Sequence, residues 1–165
     1  MPFISNDTSF TGNFSIAKQV LLRTKKRFRF NRNFRDAYLN FMKEYIDLSH
    51  MSEIFSENSI SPEEINSSYF IPHHGIFQGT PSNLKFRVVF NASSCSLNNK
   101  SLNDNLFAGP FLQTNIVDIL IKWTFHRYVY SSDVQKMYRQ INVHPDHRKL
   151  QRILWRSSEN DPISI

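Results

Sequence analysis

The sequence predicts an α+β protein in which an N-terminal helical hairpin precedes a mainly antiparallel sheet with packed helices. Three observations carry that expectation. Apolar residues recur at three- and four-residue steps up to about residue 49, which is the period of a helix face. From residue 69 the texture changes to short aromatic and β-branched runs punctuated by turn clusters, which is the signature of strands. The chain of 165 residues is also 40% apolar, with fifteen Phe, six Tyr and two Trp. That is enough for a core, and with four glycines and no long polar tract the composition excludes a fibrous or disordered class.

Taken in order, residues 1–14 show no period and are expected to lack structure. A first helix should run from Ser15, a plausible cap, to about Phe30, with Ala17, Val20, Leu21 and Phe28 on one side. After the break "NRN" a second should span about Asn33 to Ser49, because Phe34, Tyr38, Phe41, Tyr45 and Leu48 share a face. Between Ile16 and Arg35 lie eight basic residues and no acid. Two readings of that run stand: a solvated helix face, or a face on which Lys25, Lys26, Arg27 and Arg29 contact phosphates.

Residues 50–68 form an acidic linker, where "SPEEI" (Ser61 to Ile65) signals a short helix through an N-cap, a proline at the first helical position and acids in the first turn. Beyond it, "YFIPHHGIF" and "LKFRVVFNAS", separated by "QGTPSN", read as an antiparallel pair. "SLNNKSLNDNLFAGP" is a polar loop. Leu112, Ile116, Ile119, Leu120 and Trp123 then form one stripe, expected to pack a helix on the sheet. "RYVYSSD" should be a strand ending in Asp133, and "LQRILWRS" another after the turn "HPDHRK".

The net charge of +6 and pI near 9.6 point towards a polyanionic partner. Cys95 is the only cysteine, which excludes a disulfide framework or thiolate metal cluster and suits an intracellular, reducing setting. The first residues carry no secretory signal pattern, and no run approaches the roughly 18 apolar residues of a membrane span, so no membrane is expected. His73 with His74, and His144 with His147, lack thiolate partners and are poor zinc candidates.

An acid at a strand end is where an oxygen ligand for Mg²⁺ projects beside a backbone carbonyl, but the same Asp133 could simply cap a turn. Tyr138, five residues on, either packs with its hydroxyl at the surface or lies under a nucleotide sugar as a filter against a 2′-hydroxyl. Arg87 and Lys85 share a strand face. They either grip triphosphate oxygens or keep an edge strand soluble.

The blocks "YFIPHHGIF", "KFRVVFNASS", "SLNDNLFAGPFLQTNIVDIL" and "RYVYSSDVQKMYRQINVHPDHRKLQRILW" occur in an order that resembles the reverse transcriptase of Bel/Pao-type LTR retrotransposons, over about residues 69 to 156. "FMKEYIDLSHM" looks like the segment before that polymerase. The resemblance implies the fingers and partial palm of a right-hand polymerase, an RNA-directed DNA polymerase using Mg²⁺, deoxynucleoside triphosphates and an RNA or DNA template-primer. By it, Asp133 matches the first catalytic aspartate and the Val134 carbonyl a further metal ligand. Tyr138 matches the sugar-gating aromatic, with Gln140 in the following strand. Arg87 matches the fingers arginine on the incoming triphosphate, and Lys85 is its basic neighbour.

Two departures matter. Asn91 stands where the family pattern has an acid, and no Asp-Asp dipeptide, the second catalytic block, occurs in the 165 residues. A two-ion site needs more than one carboxylate, so the chain alone is expected to be inactive, leaving a basic nucleic-acid-binding module as the alternative function. A palm sheet without its central hairpin should also leave an unpaired edge and an uncovered apolar face, with "RILW" among the exposed strands, and promote self-association through that sheet edge.

Overall fold

The computed structural model describes residues 3–4, 9–54, 56, 59–80, 83–158 and 160–165. Helix α1 covers Asn13–Phe30, starting two residues before the expected cap. Gly12 rather than Ser15 precedes its first turn, in a left-handed conformation (φ 73°) that glycine adopts without a Cβ clash. Asn13 points inward, and its Oδ1 accepts from the Phe70 amide at 2.6 Å, tying the helix start to the chain entering the sheet.

Helix α2 covers Arg32–Asp47 and buries Phe34, Tyr38 and Met42. Asn31, the single residue between the helices, ends one and caps the other. Its amide donates to the Arg27 carbonyl at 3.1 Å, and its side chain accepts from the Phe34 amide at 2.9 Å. Helix α3, Pro62–Asn66, starts as "SPEEI" requires, with Ser61 Oγ accepting from the Glu64 amide at 3.2 Å. Glu64 then accepts from the buried Arg152 guanidinium at 2.6 Å.

Strands β1 (His73–Gln78) and β2 (Lys85–Phe90) are antiparallel, His73 facing Phe90 and Gln78 facing Lys85. Alternation along β2 leaves Lys85, Arg87 and Val89 exposed and turns Phe86, Val88 and Phe90 inward. The inner face meets α2, the Phe86 ring lying 5.5 Å from that of Phe34 and 5.6 Å from that of Tyr38. Gly75 makes this approach possible, since a Cβ there would lie 2.5 Å from Phe86 Cζ and 2.9 Å from Tyr38 Cδ2.

Short helix α5, Pro145–Arg148, fills the "HPDHRK" turn. The strand expected in "LQRILWRS" does not form: Arg152 bridges Phe70 in parallel, Trp155 bridges Ser164 antiparallel, and the segment is otherwise irregular. Nor is "RILW" an exposed edge. Leu154 and Trp155 are core residues, because the indole stacks on Tyr38 at 5.4 Å and 9° and the chain end, through Ile163 and Ile165, packs into the same cluster.

At the centre the Tyr38 hydroxyl and His73 Nδ1 are hydrogen-bonded, while His73 Nε2 lies 2.9 Å from the Leu154 carbonyl. A carbonyl only accepts, so Nε2 carries the proton, and Nδ1 accepts from Tyr38. A second core holds Phe10, Tyr69, Leu102 and Leu150. Residues 1–14 were expected to lack structure, yet Phe10 is buried there and Phe3 bridges Leu106.

The chain divides into two units, Met1–Leu106 with Val143–Ile165, and Phe107–Asn142. The charge boundaries at 49 and 68 therefore do not separate packing units: the helical pair, β1, β2 and the final residues share one core. The second unit contains α4, Ile116–Thr124, capped by Asn115 Oδ1 accepting from the Val117 amide at 3.0 Å. Helix α4 forms in the stretch where a helix is expected, and none of its residues is buried. Two expectations fail in this unit. "RYVYSSD" is not a strand, because a strand is completed by a neighbour's amides and carbonyls and the residues 107–142 form no strand at all. Gln140 lies in a 3-10 turn, Met137–Gln140, rather than in a strand. Among the described residues the fold is thus α+β, with one two-stranded sheet, and no helix is long and apolar enough to cross a membrane.

Burial, with the like charge of Lys25 and His74, lowers the His73 pKa from 6.5 to about 4 despite the Leu154 hydrogen bond. The unfolded chain therefore binds a proton below pH 6.5 that the folded chain refuses until about pH 4. Stability should fall across that window, by about 3 kcal/mol, and level off below it. Urea midpoints from pH 7 to pH 4 for the wild type and His73→Gln check this; equal pH slopes would refute it. Gly75→Ala should cost about 1–3 kcal/mol in the same assay through overpacking against Phe86 and Tyr38, and a neutral result would mean that strand and helix separate readily.

Candidate functional site

The residues singled out in the sequence fall into three groups. Lys85 and Arg87 stand two apart on the exposed face of β2, where alternation of the strand puts both side chains in solvent. Just after β1, Gly79 has a φ of 122°, and a Cβ there would lie 2.2 Å from the Asn83 carbonyl oxygen. Asn91, at the position where the family pattern has an acid, takes a local role. Its Oδ1 accepts from the Ser93 amide at 3.1 Å, and its own amide donates to the Pro72 carbonyl at 2.8 Å, closing the end of the hairpin.

Asp133, Val134 and Tyr138 belong to the second unit and are all exposed. Asp133 and Val134 lie in irregular backbone, and Tyr138 lies in the 3-10 turn, its ring 82% exposed. Asp133 and the Val134 carbonyl offer one carboxylate and one carbonyl to a cation. Among the described residues no three His, Cys, Asp or Glu side chains come together as metal ligands. The described residues therefore do not by themselves assemble the ligand set of a two-ion Mg²⁺ site. The histidine pairs have other surroundings: His73 is held in the core by Tyr38 and Leu154, and His144 Nδ1 accepts from the Asp146 amide at 3.4 Å at the start of α5.

The basic run of α1 divides by direction. Lys25 is 3% exposed, a correction to its place on a phosphate-contacting face. Its ammonium donates to the Arg156 carbonyl and lies 3.8 Å from the Trp155 ring centre and 4.5 Å from that of Phe28. Those rings and that carbonyl draw the charge inward, because cation–π attraction and a hydrogen bond offset part of its lost hydration. Arg27 lays its guanidinium 3.8 Å from the centre of the Phe34 ring, so its planar face is stacked on protein. Lys26 and Arg29 point outward.

Lys26 and Arg29 lie at two adjoining hollows. One, of about 420 Å³, is lined by Leu22, Lys25, Lys26, Arg29, Arg156 and Asn160. The other, of about 350 Å³, sets Phe28, Leu39, Arg35, Ser157 and Ser158 around the same Lys25 and Arg29. Arg35 and Arg156 are the residues that sequence reasoning missed. Arg35 carries the signal of the basic run itself, but Arg156 follows an apolar stretch and has no local pattern to mark it.

No family model matches this sequence, and neither a curated protein nor a solved structure matches it.

Proposed function

We propose that the chain is a piece of the reverse transcriptase of a Bel/Pao-type LTR retrotransposon, drawn from its fingers and palm, which binds nucleic acid inside the cell but does not polymerise alone. The observation that carries this reading is the order of sequence blocks from "YFIPHHGIF" to "LQRILW", with Asp133 and Tyr138 at the positions of a metal-binding acid and a sugar-gating aromatic. The exposed pair Lys85 and Arg87 on a two-stranded hairpin supports it, since a fork and a point charge side by side suit triphosphate oxygens. The activity of the whole enzyme would be Mg²⁺-dependent DNA synthesis on an RNA or DNA template-primer, with Asp133 and the Val134 carbonyl contributing part of the ligand set.

A second reading, a basic nucleic-acid-binding module without chemistry, draws on a different observation, the two hollows ringed by Lys26, Arg29, Arg35 and Arg156. It and the first reading are compatible. Phe111, Leu112, Ile116, Leu120 and Tyr130 of the second unit are exposed, and we propose that copies of the chain associate through such apolar side chains.

Primer extension on a defined RNA template with Mg²⁺ and all four deoxynucleotides, comparing the chain with Asp133→Ala, tests the catalytic statement. No incorporation by either is expected. Incorporation that disappears in the variant would show that carboxylates are supplied in trans and that the chain is not inert. For association, sedimentation should show species above 19.5 kDa that shift with concentration, and a single monomeric boundary would contradict it.

A further inference from the structure

We infer that the groove between α1 and the segment of Arg156, Ser157, Ser158 and Asn160 binds single-stranded nucleic acid, its two hollows receiving backbone phosphates and Phe30 offering the ring on which a base stacks. The inference rests on the nucleic-acid-binding part of the proposed function and assigns it a place.

Charge is the first argument. Lys26, Arg29, Arg35 and Arg156 come from two helices and the C-terminal segment to line a pair of adjoining hollows that share Arg29 and the buried Lys25, whose charge adds to the field of the site without offering a contact. Among the described lining residues none is acidic; Glu159, next to Ser158 in the chain, lies outside the described residues. The nearby carboxylates are engaged locally. Asp161 accepts from the Ser158 amide at 2.8 Å, and Asp36 meets Arg35 at 2.9 Å. Guanidinium forks suit the paired oxygens of a phosphodiester, and the hydroxyls of Ser157 and Ser158 add neutral donors.

The second argument selects the kind of nucleic acid. Leu22, Lys26 and Phe30 recur at four-residue steps, so they share one stripe of α1. Phe30 is 82% exposed and belongs to neither core cluster, so packing does not account for it. A bare ring one residue from Arg29 is the pairing that single-strand binders use, cations for the backbone and an aromatic face for a base. The bases of a duplex are stacked on one another and leave such a ring without a partner.

Fluorescence anisotropy of the full chain with a short labelled single-stranded oligonucleotide, and with the duplex of the same sequence, over a salt series tests this. The variants are the triple Lys26→Gln/Arg29→Gln/Arg156→Gln, the single Phe30→Ala, and Lys149→Gln as an exposed lysine outside the groove. The Arg156 change leaves the backbone carbonyl that holds Lys25, and circular dichroism checks that each variant folds. The triple variant should lose affinity at least about tenfold and flatten the salt dependence by two to three in slope, about one for each lost phosphate contact. Phe30→Ala should weaken the single strand about fivefold or more with the slope unchanged. Lys149→Gln should bind as the wild type does. Binding by the wild type with the triple variant no weaker than Lys149→Gln would overturn the groove and leave the nucleic-acid reading standing. Absence of wild-type binding would sink that reading and the groove with it. A duplex bound as tightly as the single strand, with Phe30→Ala neutral, would overturn the single-strand assignment.

Discussion

The packing of the larger unit depends on one buried polar chain, from the Tyr38 hydroxyl to His73 and from His73 to the Leu154 carbonyl. Each link constrains the next. Tyr38 is fully buried, and an interior hydroxyl without a partner costs free energy, so its proton must find an acceptor. Burial also pushes its ionisation well above the usual tyrosine value, which keeps it a donor. His73 serves as the acceptor only while neutral and only as the tautomer that Leu154 selects. Because the three residues sit on α2, on β1 and on the returning C-terminal segment, satisfying them fixes where all three elements lie. Trp155, stacked on Tyr38, and the Lys25 ammonium over the Trp155 ring extend the same constraint to α1.

That constraint explains how the positive run of α1 comes to serve two ends. Lys25 faces the aromatic cluster, where its charge adds to the reasons that His73 stays neutral. One residue on, Lys26 faces out, and the 3.6-residue period alone accounts for the difference. Arg27 falls on the side of Phe34 and stacks there. What faces the groove is therefore Lys26, Arg29 and Arg35 of the eight cations that the sequence places together, joined by Arg156 from far along the chain.

The locally encoded parts of the fold were legible in the sequence. The helical period that carries Phe34 and Tyr38, the cap at Ser61 and the turn between β1 and β2 each depend on residues within a few positions of one another, and each appears close to where the pattern puts it, although Met42 rather than Leu48 completes the buried face of α2. What failed depends on partners far away in the chain. Lys25 has the sequence context of a surface lysine, and only Arg156, 131 residues later, with its neighbour Trp155, makes it an interior one. Asp133 ends a run with every composition cue of a strand, but composition supplies no neighbouring strand to pair with. "RILW" has a buried side-chain pattern without a ladder, so its apolar character was legible and its backbone state was not. The groove was half legible, through Lys26 and Arg29 and not through Arg156.

The interleaving of the two ends of the chain also orders events in time. Phe34, Tyr38 and His73 share a core with Leu154, Trp155, Ile163 and Ile165, and the separate unit Phe107–Asn142 is spliced between these groups. During synthesis from the N-terminus, the helical hairpin and the β-hairpin can form early, because their contacts are local. Their common apolar face is covered completely only when Leu154, Trp155, Ile163 and Ile165 have been made. Until Trp155 is in place the Tyr38 ring lacks the indole that stacks on it, and uncovered aromatic surface of that kind invites chaperones or aggregation. Closure of the fold waits on contacts more than a hundred residues apart, such as that of Lys25 with Arg156, and contacts of that separation slow folding because the intervening chain must be ordered first.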